Sequence, residues 1–333
     1  MNKVVVGIDV SMDDFHVCLK VRDKDERTKI RGSRTFKNTK QGFEELLRWA
    51  QRKEKSISLF VMEATGVYHE NLAYFLYDKD QTVSVVLANK MKNYIKSLNV
   101  KTKTDKTDAK AIAKLGIERS LVPWKPMSSE YKKLRDMCRE LLSQKKDRQR
   151  AMSQLHAFNK AHEKSDTIIK LKEEQIELSD KIIAALEKSI HQTVNQDPDF
   201  KKKIKKLETI PGLRFVTIVI LICETNGFEL FKNIRQVVSY AGLDVVLDQS
   251  GNHNGKTRIS KKGNSRIRQA LYMPAMSAIQ YNKPIRKLHE RICRKNPKIR
   301  QKGVVAGMRK LLILVYTLWK KDEEFDINYQ WGV

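Results

Sequence analysis

Residues 1–127 alternate between short apolar runs and amphipathic segments, and this alternation restricts the fold more than any other feature of the chain. Apolar runs with strand periodicity predict three successive strands, at residues 4–10, 15–21 and 29–36. The elements predicted after them are a helix at 41–51, a strand at 57–62, a helix at 69–77, a strand at 83–87, and helices at 90–98 and 107–118. This order predicts an α/β domain in which helices pack on a mixed sheet.

Two prolines, Pro123 and Pro126, mark the end of this domain, and the composition changes after them. Residues 128–196 contain neither proline nor glycine and are rich in lysine, glutamate, glutamine and leucine. Isoleucine recurs at every seventh position from Ile169 to Ile190, which is typical of packed helices. We predict two long helices that form either a hairpin or a coiled coil between copies of the chain. The alternative is that both helices pack on the core of their own chain.

Residues 197–333 form the third predicted segment, which is mainly helical. Near its start an Ile-Pro-Gly turn at 210–212 leads into an apolar helix, as in a helix–hairpin–helix, whose backbone amides face a phosphate. Arg214 stands where such turns carry a second glycine. Further helices are predicted at residues 231–242, 265–280, 283–294 and 299–320. A polar loop is predicted at 248–262.

Lysine and arginine total 66 residues against 39 aspartates and glutamates, which gives a formal net charge of +27. An excess of this size favours a polyanionic partner, because each phosphate that a basic residue neutralises releases a counterion. The alternative is a generically basic protein without such a partner. The chain is also 41% hydrophobic, which excludes an intrinsically disordered protein.

The four cysteines lie far apart and form no C-x-x-C pair, so we expect neither a zinc knuckle nor a disulfide framework. Isolated cysteines of this kind are typical of buried thiols in a reducing compartment. The longest apolar run, at 215–223, is too short to cross a bilayer, and the N-terminus runs into a strand without a signal peptide. We therefore expect a cytoplasmic, nucleoid-associated protein that does not bind membranes.

Four acidic residues stand out in this basic chain. Asp9 and Glu63 each end an apolar run, while Asp105 and Asp108 lie three residues apart on one face of a predicted helix. If the sheet brings them together, their repulsion requires a divalent cation, and carboxylate oxygens suit Mg²⁺ or Mn²⁺. Two such ions about 4 Å apart would activate a nucleophile and stabilise a leaving oxygen. Taken singly, each acid is also explained as a helix cap, a first-turn residue or a strand-end turn residue.

The first of these runs contains GIDVS, at residues 7–11, which also resembles the phosphate loop of sugar kinases and actin-like ATPases. That loop carries a glycine where Ser11 stands, and the sequence has no later glycine-rich motif for an adenosine group. A nucleotide-binding enzyme is therefore the less favoured interpretation of this strand.

A second cluster surrounds Ser250, in the predicted polar loop. A serine hydroxyl is a poor nucleophile unless a base or a metal ion activates it, and nearby cations would hold a phosphodiester. The basic residues that follow are Lys256, Arg258, Lys261, Lys262, Arg266 and Arg268. The alternative is a solvated turn, for which Gln-Ser-Gly-Asn is suitable. Beside the acids, Lys103 and Lys106 either bind phosphates or reduce the repulsion between carboxylates.

Seven motifs occur in order along nearly the whole chain: GIDVS, MEATGVYH, KTDKTDAKAIA, IPGL, YAGLD, QSG and ISKKGNSRIRQAL. Together they resemble the DEDD-type insertion-sequence transposases. The resemblance implies a RuvC-like domain of ribonuclease H-like fold, then a central coiled coil of long helices, then a mainly helical transposase domain. Two departures lie beside the matched residues: Arg214 in the hairpin turn, and the absence of the proline that often follows AGL in the family.

The resemblance also implies an activity and partners. The set that binds Mg²⁺ or Mn²⁺ would consist of Asp9, Glu63, Asp105 and Asp108. Ser250 would attack a DNA phosphate and form a covalent phosphoserine intermediate. Copies of the chain would assemble as dimers and tetramers in which acids and serine come from different subunits, and a structured noncoding bridge RNA would pair with the element ends and the target. Two alternatives stay open: a RuvC-like junction nuclease that uses water, and a nucleic-acid-binding scaffold without catalysis.

Overall fold

The computed structural model describes residues 2–99, 104–229, 231–250, 253–255 and 257–326. The chain folds into two compact units, Met1–Pro126 and Met127–Val333. The second unit therefore contains both the segment with the long helices and the C-terminal segment. Of the helices in the described ranges, none has the length and apolar content that a membrane crossing requires.

The first unit is built on a five-stranded mixed sheet, as predicted. Its strands are β1 (Lys3–Val10), β2 (Asp14–Arg22), β3 (Thr28–Lys37), β4 (Leu59–Glu63) and β5 (Val83–Val86). They follow the order β3-β2-β1-β4-β5, in which β1 pairs antiparallel with β2 and parallel with β4. β1 is therefore the central strand, and its C-terminal end lies beside that of β4.

In the part of the first unit that the structure describes, four helices pack with this sheet. They are α1 (Lys40–Lys53), α2 (Glu70–Asp78), α3 (Ala88–Ser97) and α4 (Asp105–Glu118). Alternate residues of β1 enter different cores, because successive side chains of a strand point to opposite faces. Val6 and Ile8 pack with residues of α1 and α2, whereas Val5 packs with residues of α4. The sheet thus has α1 and α2 on one face and α4 on the other.

The helix α4 packs directly on the backbone of β1. A Cβ atom on Gly7 would overlap the backbone nitrogen of Ala113, and one on Gly116 would overlap the side chain of Val5. Later residues of α4 therefore cover earlier residues of β1, so the helix runs antiparallel to the strand. The first turn of α4 consequently lies at the end of the sheet where β1 and β4 terminate.

We expect Gly7→Ala to destabilise the first unit by about 3 kcal/mol, at the upper end of the usual cost of overpacking, because a backbone atom cannot rotate away from the new methyl group. Calorimetry would detect the change as a lower Tm. Gly307→Ala, in a helix of the second unit, is the matched control, since its added Cβ meets no other heavy atom closer than 3.4 Å. An unchanged Tm for Gly7→Ala would contradict the direct packing of α4 on β1.

The second unit is mainly helical, as predicted. Its helices are α5 (Ser129–Lys160), α6 (Asp166–Asn195), α7 (Pro198–Glu208), α8 (Phe215–Glu224), α9 (Ile234–Tyr240), α10 (Ser265–Tyr281), α11 (Lys283–Lys295) and α12 (Gln301–Lys321). Between α9 and α10 lie β6 (Val245–Val246), β7 (Gln249–Ser250), β8 (His253–Asn254) and β9 (Arg258–Ile259). β6 pairs with β9, and β7 pairs with β8, in both cases antiparallel.

The segment between α8 and α10 differs from its prediction. The helix predicted at 231–242 is reduced to the seven residues of α9. The side chain of Asn233 caps its start by accepting a hydrogen bond from the amide of Gln236, and Gly242, with φ of +65°, follows its end. The polar loop predicted at 248–262 is not wholly irregular, because it contributes three of the four short strands.

The long helices α5 and α6 form an antiparallel pair. Lys145 Nζ lies 2.7 Å from Glu187 Oε1, and Arg148 Nε lies 2.5 Å from Asp180 Oδ1. At one end of the pair, residues of both helices belong to the main core of the second unit: Leu134, Cys138, Leu141, Ile190 and Val194. The helices therefore pack on the core of their own chain at that end. Farther out, Leu178 is 59% exposed. A coiled coil between copies stays a prediction.

Candidate functional site

Asp9 and Glu63 lie side by side at the ends of two adjacent strands. The parallel register of β1 and β4 pairs Ile8 with Met62, so the residues that follow them are Asp9 and Glu63. Ile8 and Met62 pack in the core on the α1 face. Because side chains alternate along a strand, both carboxylates belong to the opposite face, the one that α4 covers.

The first turn of α4 brings the other two acids to the same end of the sheet. Thr104 caps the helix, and its side chain accepts a hydrogen bond from the amide of Thr107, 3.2 Å away. Asp105 and Asp108 occupy the first turn, where negative charge complements the helix dipole. This cap also explains why the helix begins at Asp105, two residues before the predicted start.

A residue that the sequence analysis missed, His16, connects these two parts of the site. It lies opposite Asp9 in the antiparallel pairing of β1 and β2. Its Nδ1 lies 3.9 Å from Oδ2 of Asp105, a contact that becomes an ion pair when the imidazole is protonated. His16 is therefore a link between α4 and the strands. The signal for it was the tight turn between the first two predicted strands, which sets residue 16 opposite residue 9.

Asn38 is a second residue that the sequence analysis missed. Its side-chain amide donates hydrogen bonds to the backbone oxygens of Ser11, 2.9 Å away, and Tyr68, 3.2 Å away. Ser11 follows β1, and Tyr68 lies in the segment that follows β4. The amide therefore ties together the two loops that leave the acid-bearing strands. Nothing in the local sequence identifies this role, because both partners are distant in the chain.

The four carboxylates fit a hard divalent cation, since they supply only oxygen ligands. They do not meet in a finished metal site: within the residues that the structure describes, no three His, Cys, Asp or Glu side chains are close enough to hold one ion. Asp105 is the most exposed of the four, with 69% of its side chain accessible. The acids thus share one end and one face of the sheet without a closed coordination sphere.

Ser250 lies in the second unit, on the segment between Tyr240 and Asn264, which we call the serine ribbon. It is exposed at the end of β7, opposite His253 of β8. Farther from Ser250, the side chain of Ser260 donates a hydrogen bond of 2.5 Å to Asp244. The serine ribbon is therefore a braced structure that presents Ser250 to solvent.

The predicted basic residues belong to different elements of the two units. Arg258, Lys261 and Lys262 line a surface cleft with Val246, Ile259 and Ser260. Arg266 is exposed in the first turn of α10, and in the first unit Lys106 is exposed in the first turn of α4. Lys103 and Lys256 lie outside the described residues.

Arg268 differs from the other predicted phosphate ligands. Its guanidinium donates a hydrogen bond of 2.8 Å to the backbone oxygen of Ala241, at the start of the serine ribbon. Partial burial lowers the pKa of this guanidinium. The contact makes Arg268 a structural brace for the ribbon, so this side chain is less available for a phosphate than Arg258 or Arg266.

The predicted Ile-Pro-Gly turn lies between α7 and α8, and its role as a helix–hairpin–helix stays a prediction. Gly212 has φ of +99°, and a Cβ on it would lie 2.7 Å from the Cα of Ala278 in α10. The turn therefore needs glycine for two reasons, its backbone conformation and its close packing on α10.

The sequence of this chain is similar to those of transposases and gene-inverting proteins. A family model for transposases, of the DEDD type found in IS110 elements, matches residues 6–161, and a model described as "Transposase IS116/IS110/IS902 family" matches residues 204–290. The chain is 29% identical over 335 residues to the pilin gene-inverting proteins of Moraxella bovis and Moraxella lacunata, with 98% of both chains covered in each case.

Among solved structures, the chain is similar to Holliday junction resolvases. RuvC of T. thermophilus, in complex with a Holliday junction substrate, is 10% identical, with 36% of this chain and 99% of RuvC covered and a TM-score of 0.29. The resolvase of fowlpox virus is 15% identical, with 34% and 97% covered and a TM-score of 0.27. The two family models match in chain order and together cover most of the sequence. The chain belongs to the IS116/IS110/IS902 family of transposases.

Proposed function

We propose that this transposase cuts and rejoins DNA with two sets of residues: a metal-binding acidic set and a serine nucleophile. The acidic set consists of Asp9, Glu63, Asp105 and Asp108. The observation that carries the proposal is that β1, β4 and the first turn of α4 bring these acids to one end and one face of the sheet. Carboxylates gathered in a chain of net charge +27 are suited to a cation that a phosphate also contacts.

Mg²⁺ held by the acids would act as a Lewis acid toward the scissile phosphate. Ser250 Oγ attacks the phosphorus, the new Oγ–P bond replaces a DNA P–O bond, and the serine proton passes to the leaving oxygen. Rejoining reverses this exchange with a different DNA hydroxyl. The exposure of Ser250 supports this role, since a phosphodiester has access to its hydroxyl. Arg258, Lys261 and Lys262 would hold the phosphate beside it.

We also propose that the transposase acts in an assembly with nucleic acid. A structured bridge RNA would select the element ends and the target by base pairing, so the protein would need to read little sequence itself. Dimers, and tetramers when two DNA sites are joined, would place acids of one subunit near Ser250 of another. The net charge supports a large nucleic-acid partner, and the exposed Leu171 and Leu178 on α6 are suited to contacts between copies. Such a complex would work in the cytoplasm, on the nucleoid.

The proposal is tested by incubating the protein with DNA that carries its element ends, with and without Mg²⁺, and then denaturing the mixture. We expect DNA that stays covalently linked to the protein, formed only when Mg²⁺ or Mn²⁺ is present. Calcium, which prefers longer bonds and looser geometry, is the control ion. Cleaved DNA without any linked protein would contradict the serine nucleophile, and linkage in the presence of a chelator would contradict the metal-binding role.

We expect charge reversal in the cleft of the serine ribbon to weaken DNA binding at every sequence. In the double variant Arg258→Glu/Lys262→Glu, each lost phosphate contact should lower the slope of log affinity against log salt by about one. Fluorescence anisotropy over a salt series measures both quantities. Lys24→Glu/Lys55→Glu, at exposed positions of the first unit, is the control for net charge. Altered sequence preference at unchanged affinity would contradict a phosphate-binding role.

A further inference from the structure

An ion pair with a buried carboxylate lies at the base of the serine ribbon. Glu224, at the end of α8, has only 1% of its side chain exposed. Its Oε1 accepts a hydrogen bond of 2.7 Å from Nε of Arg139, and its Oε2 accepts one of 3.0 Å from the Nη2 group of the same guanidinium. Asn264 Nδ2 donates a third, 2.7 Å long, to Oε2. Both carboxylate oxygens are therefore engaged.

Besides Arg139, Glu224 contacts the residues that flank the serine ribbon, Tyr240 and Asn264. The side chain of Asn264 caps α10 through its Oδ1, while its backbone amide donates a hydrogen bond of 2.7 Å to the carbonyl oxygen of Tyr240. The hydroxyl of Tyr240 in turn donates a hydrogen bond of 3.1 Å to the backbone oxygen of Glu224. One buried residue thus fixes the point where the ribbon leaves α9 and the point where it enters α10.

Hydrogen bonds continue from this base toward Ser250. The amide of Lys261 donates to the oxygen of Gly242, and the amide of Ser260 donates to the oxygen of Asp244. The pairing of β6 with β9 follows, and then that of β7 with β8, which includes Ser250. The direction in which the ribbon leaves its base therefore affects the position of the Ser250 hydroxyl.

The electrostatics of the pair favour a positioning role over a stabilising one. Burial works to raise the pKa of the Glu224 carboxyl, but the hydrogen bonds and charge of Arg139, with the Asn264 amide, outweigh burial and hold that pKa below its usual range. Glu224 is therefore ionised inside the protein. A buried ion pair stabilises a fold little more than apolar side chains of the same volume would, whereas its bidentate geometry fixes orientation.

We infer that Glu224, held by Arg139, is a positioning residue that orients Ser250 for attack on DNA. The inference rests on the proposed function, because it assumes that Ser250 is the nucleophile. Glu224 is buried and does not contact DNA. Its loss should therefore lower the rate at which Ser250 attacks DNA and leave the DNA affinity unchanged.

The test compares two variants with the wild type. Glu224→Gln keeps the shape of the side chain but removes its charge, and Arg139→Met/Glu224→Leu replaces the whole pair with apolar groups of similar volume, which preserves folding. For each we would measure the rate of protein–DNA linkage at saturating DNA, the DNA affinity and the Tm. We expect linkage to slow by about 100-fold, as misplacement by about 1 Å can cause, with affinity within about twofold of wild type. Hydrogen exchange in residues 242–263 should accelerate.

The control replaces an ion pair whose residues belong to the first unit and not to the ribbon. Arg31 and Glu54 form such a pair in the first unit, 3.1 Å apart, and Arg31→Met/Glu54→Gln should leave the linkage rate unchanged. A folded Arg139→Met/Glu224→Leu variant that links DNA at the wild-type rate would overturn the inference. Variants that lower only the DNA affinity and keep the wild-type rate at saturating DNA would overturn it too. If the wild type itself forms no linkage through Ser250, the proposed function fails instead, so the two failures are distinguishable.

Discussion

Asp9→Asn is expected to reduce DNA cleavage by about 1,000-fold or more. A metal ion bound to the acidic set would contribute several kcal/mol to the transition state, and each 1.4 kcal/mol corresponds to about a factor of ten in rate. Asparagine keeps the shape of the side chain at the end of β1, so the sheet should fold as before, while one anionic ligand is lost. Initial rates of cleavage on element-end DNA, measured over a range of Mg²⁺ concentrations, would quantify the loss.

The control for this prediction is an acid that the sequence places nearby but outside the acidic set. Asp13 lies in the turn between β1 and β2 and is exposed, so Asp13→Asn should retain the wild-type rate. DNA binding by Asp9→Asn should persist, because a negative charge beside the phosphate has been removed. If Asp9→Asn kept more than a tenth of the wild-type rate, the metal-binding role of the acidic set would be wrong.

Ser250→Ala is expected to abolish the covalent protein–DNA product completely. The substitution removes the atom that would form the bond and leaves the exposed end of β7 otherwise unchanged, so Tm and DNA affinity should stay at their wild-type values. Gel analysis after denaturation separates linked DNA from free DNA. Ser153→Ala, in α5, is the matched control, since Ser153 is exposed and its hydroxyl only donates to the backbone oxygen of Gln149 in its own helix.

The same variant separates the proposed reaction from its main competitor. A RuvC-like junction nuclease uses water, so it would still cut DNA after Ser250→Ala and would leave hydrolysed ends. A nucleic-acid-binding scaffold would show neither cleavage nor linkage in any variant. Persistent cleavage by Ser250→Ala that is lost in Asp9→Asn would therefore replace the serine mechanism by hydrolysis.

The strands and helices of the first unit were predictable because their sequence patterns are local. The apolar runs that end at Asp9 and Glu63 form strands, as the periodicity indicates, and the Thr104 cap fixes the start of α4. Their adjacency depends on long-range packing, which the pattern alone does not specify. Gly7 illustrates the difference: its sequence neighbours predict a strand, but only the structure reveals that α4 rests on its backbone.

The serine ribbon was less predictable, because its structure depends on residues far away in the sequence. Its strands have only two residues each, too few for a periodic signal. Its base depends on Glu224 and Arg139, which are 85 positions apart. The sequence gives one weak indication of this pair: a glutamate at the end of an apolar helix is expected to be buried, and a buried charge requires a partner. The sequence does not say which arginine that partner is.

The most direct measurement is to identify the peptide that carries DNA after reaction with Mg²⁺, denaturation and proteolysis. Mass spectrometry should assign the DNA-linked phosphate to a single peptide that contains Ser250, and the same peptide should be unmodified when the reaction uses Asp9→Asn. Linkage at another residue, or cleaved DNA with no modified peptide, would contradict the dependence of a serine nucleophile on the acidic set.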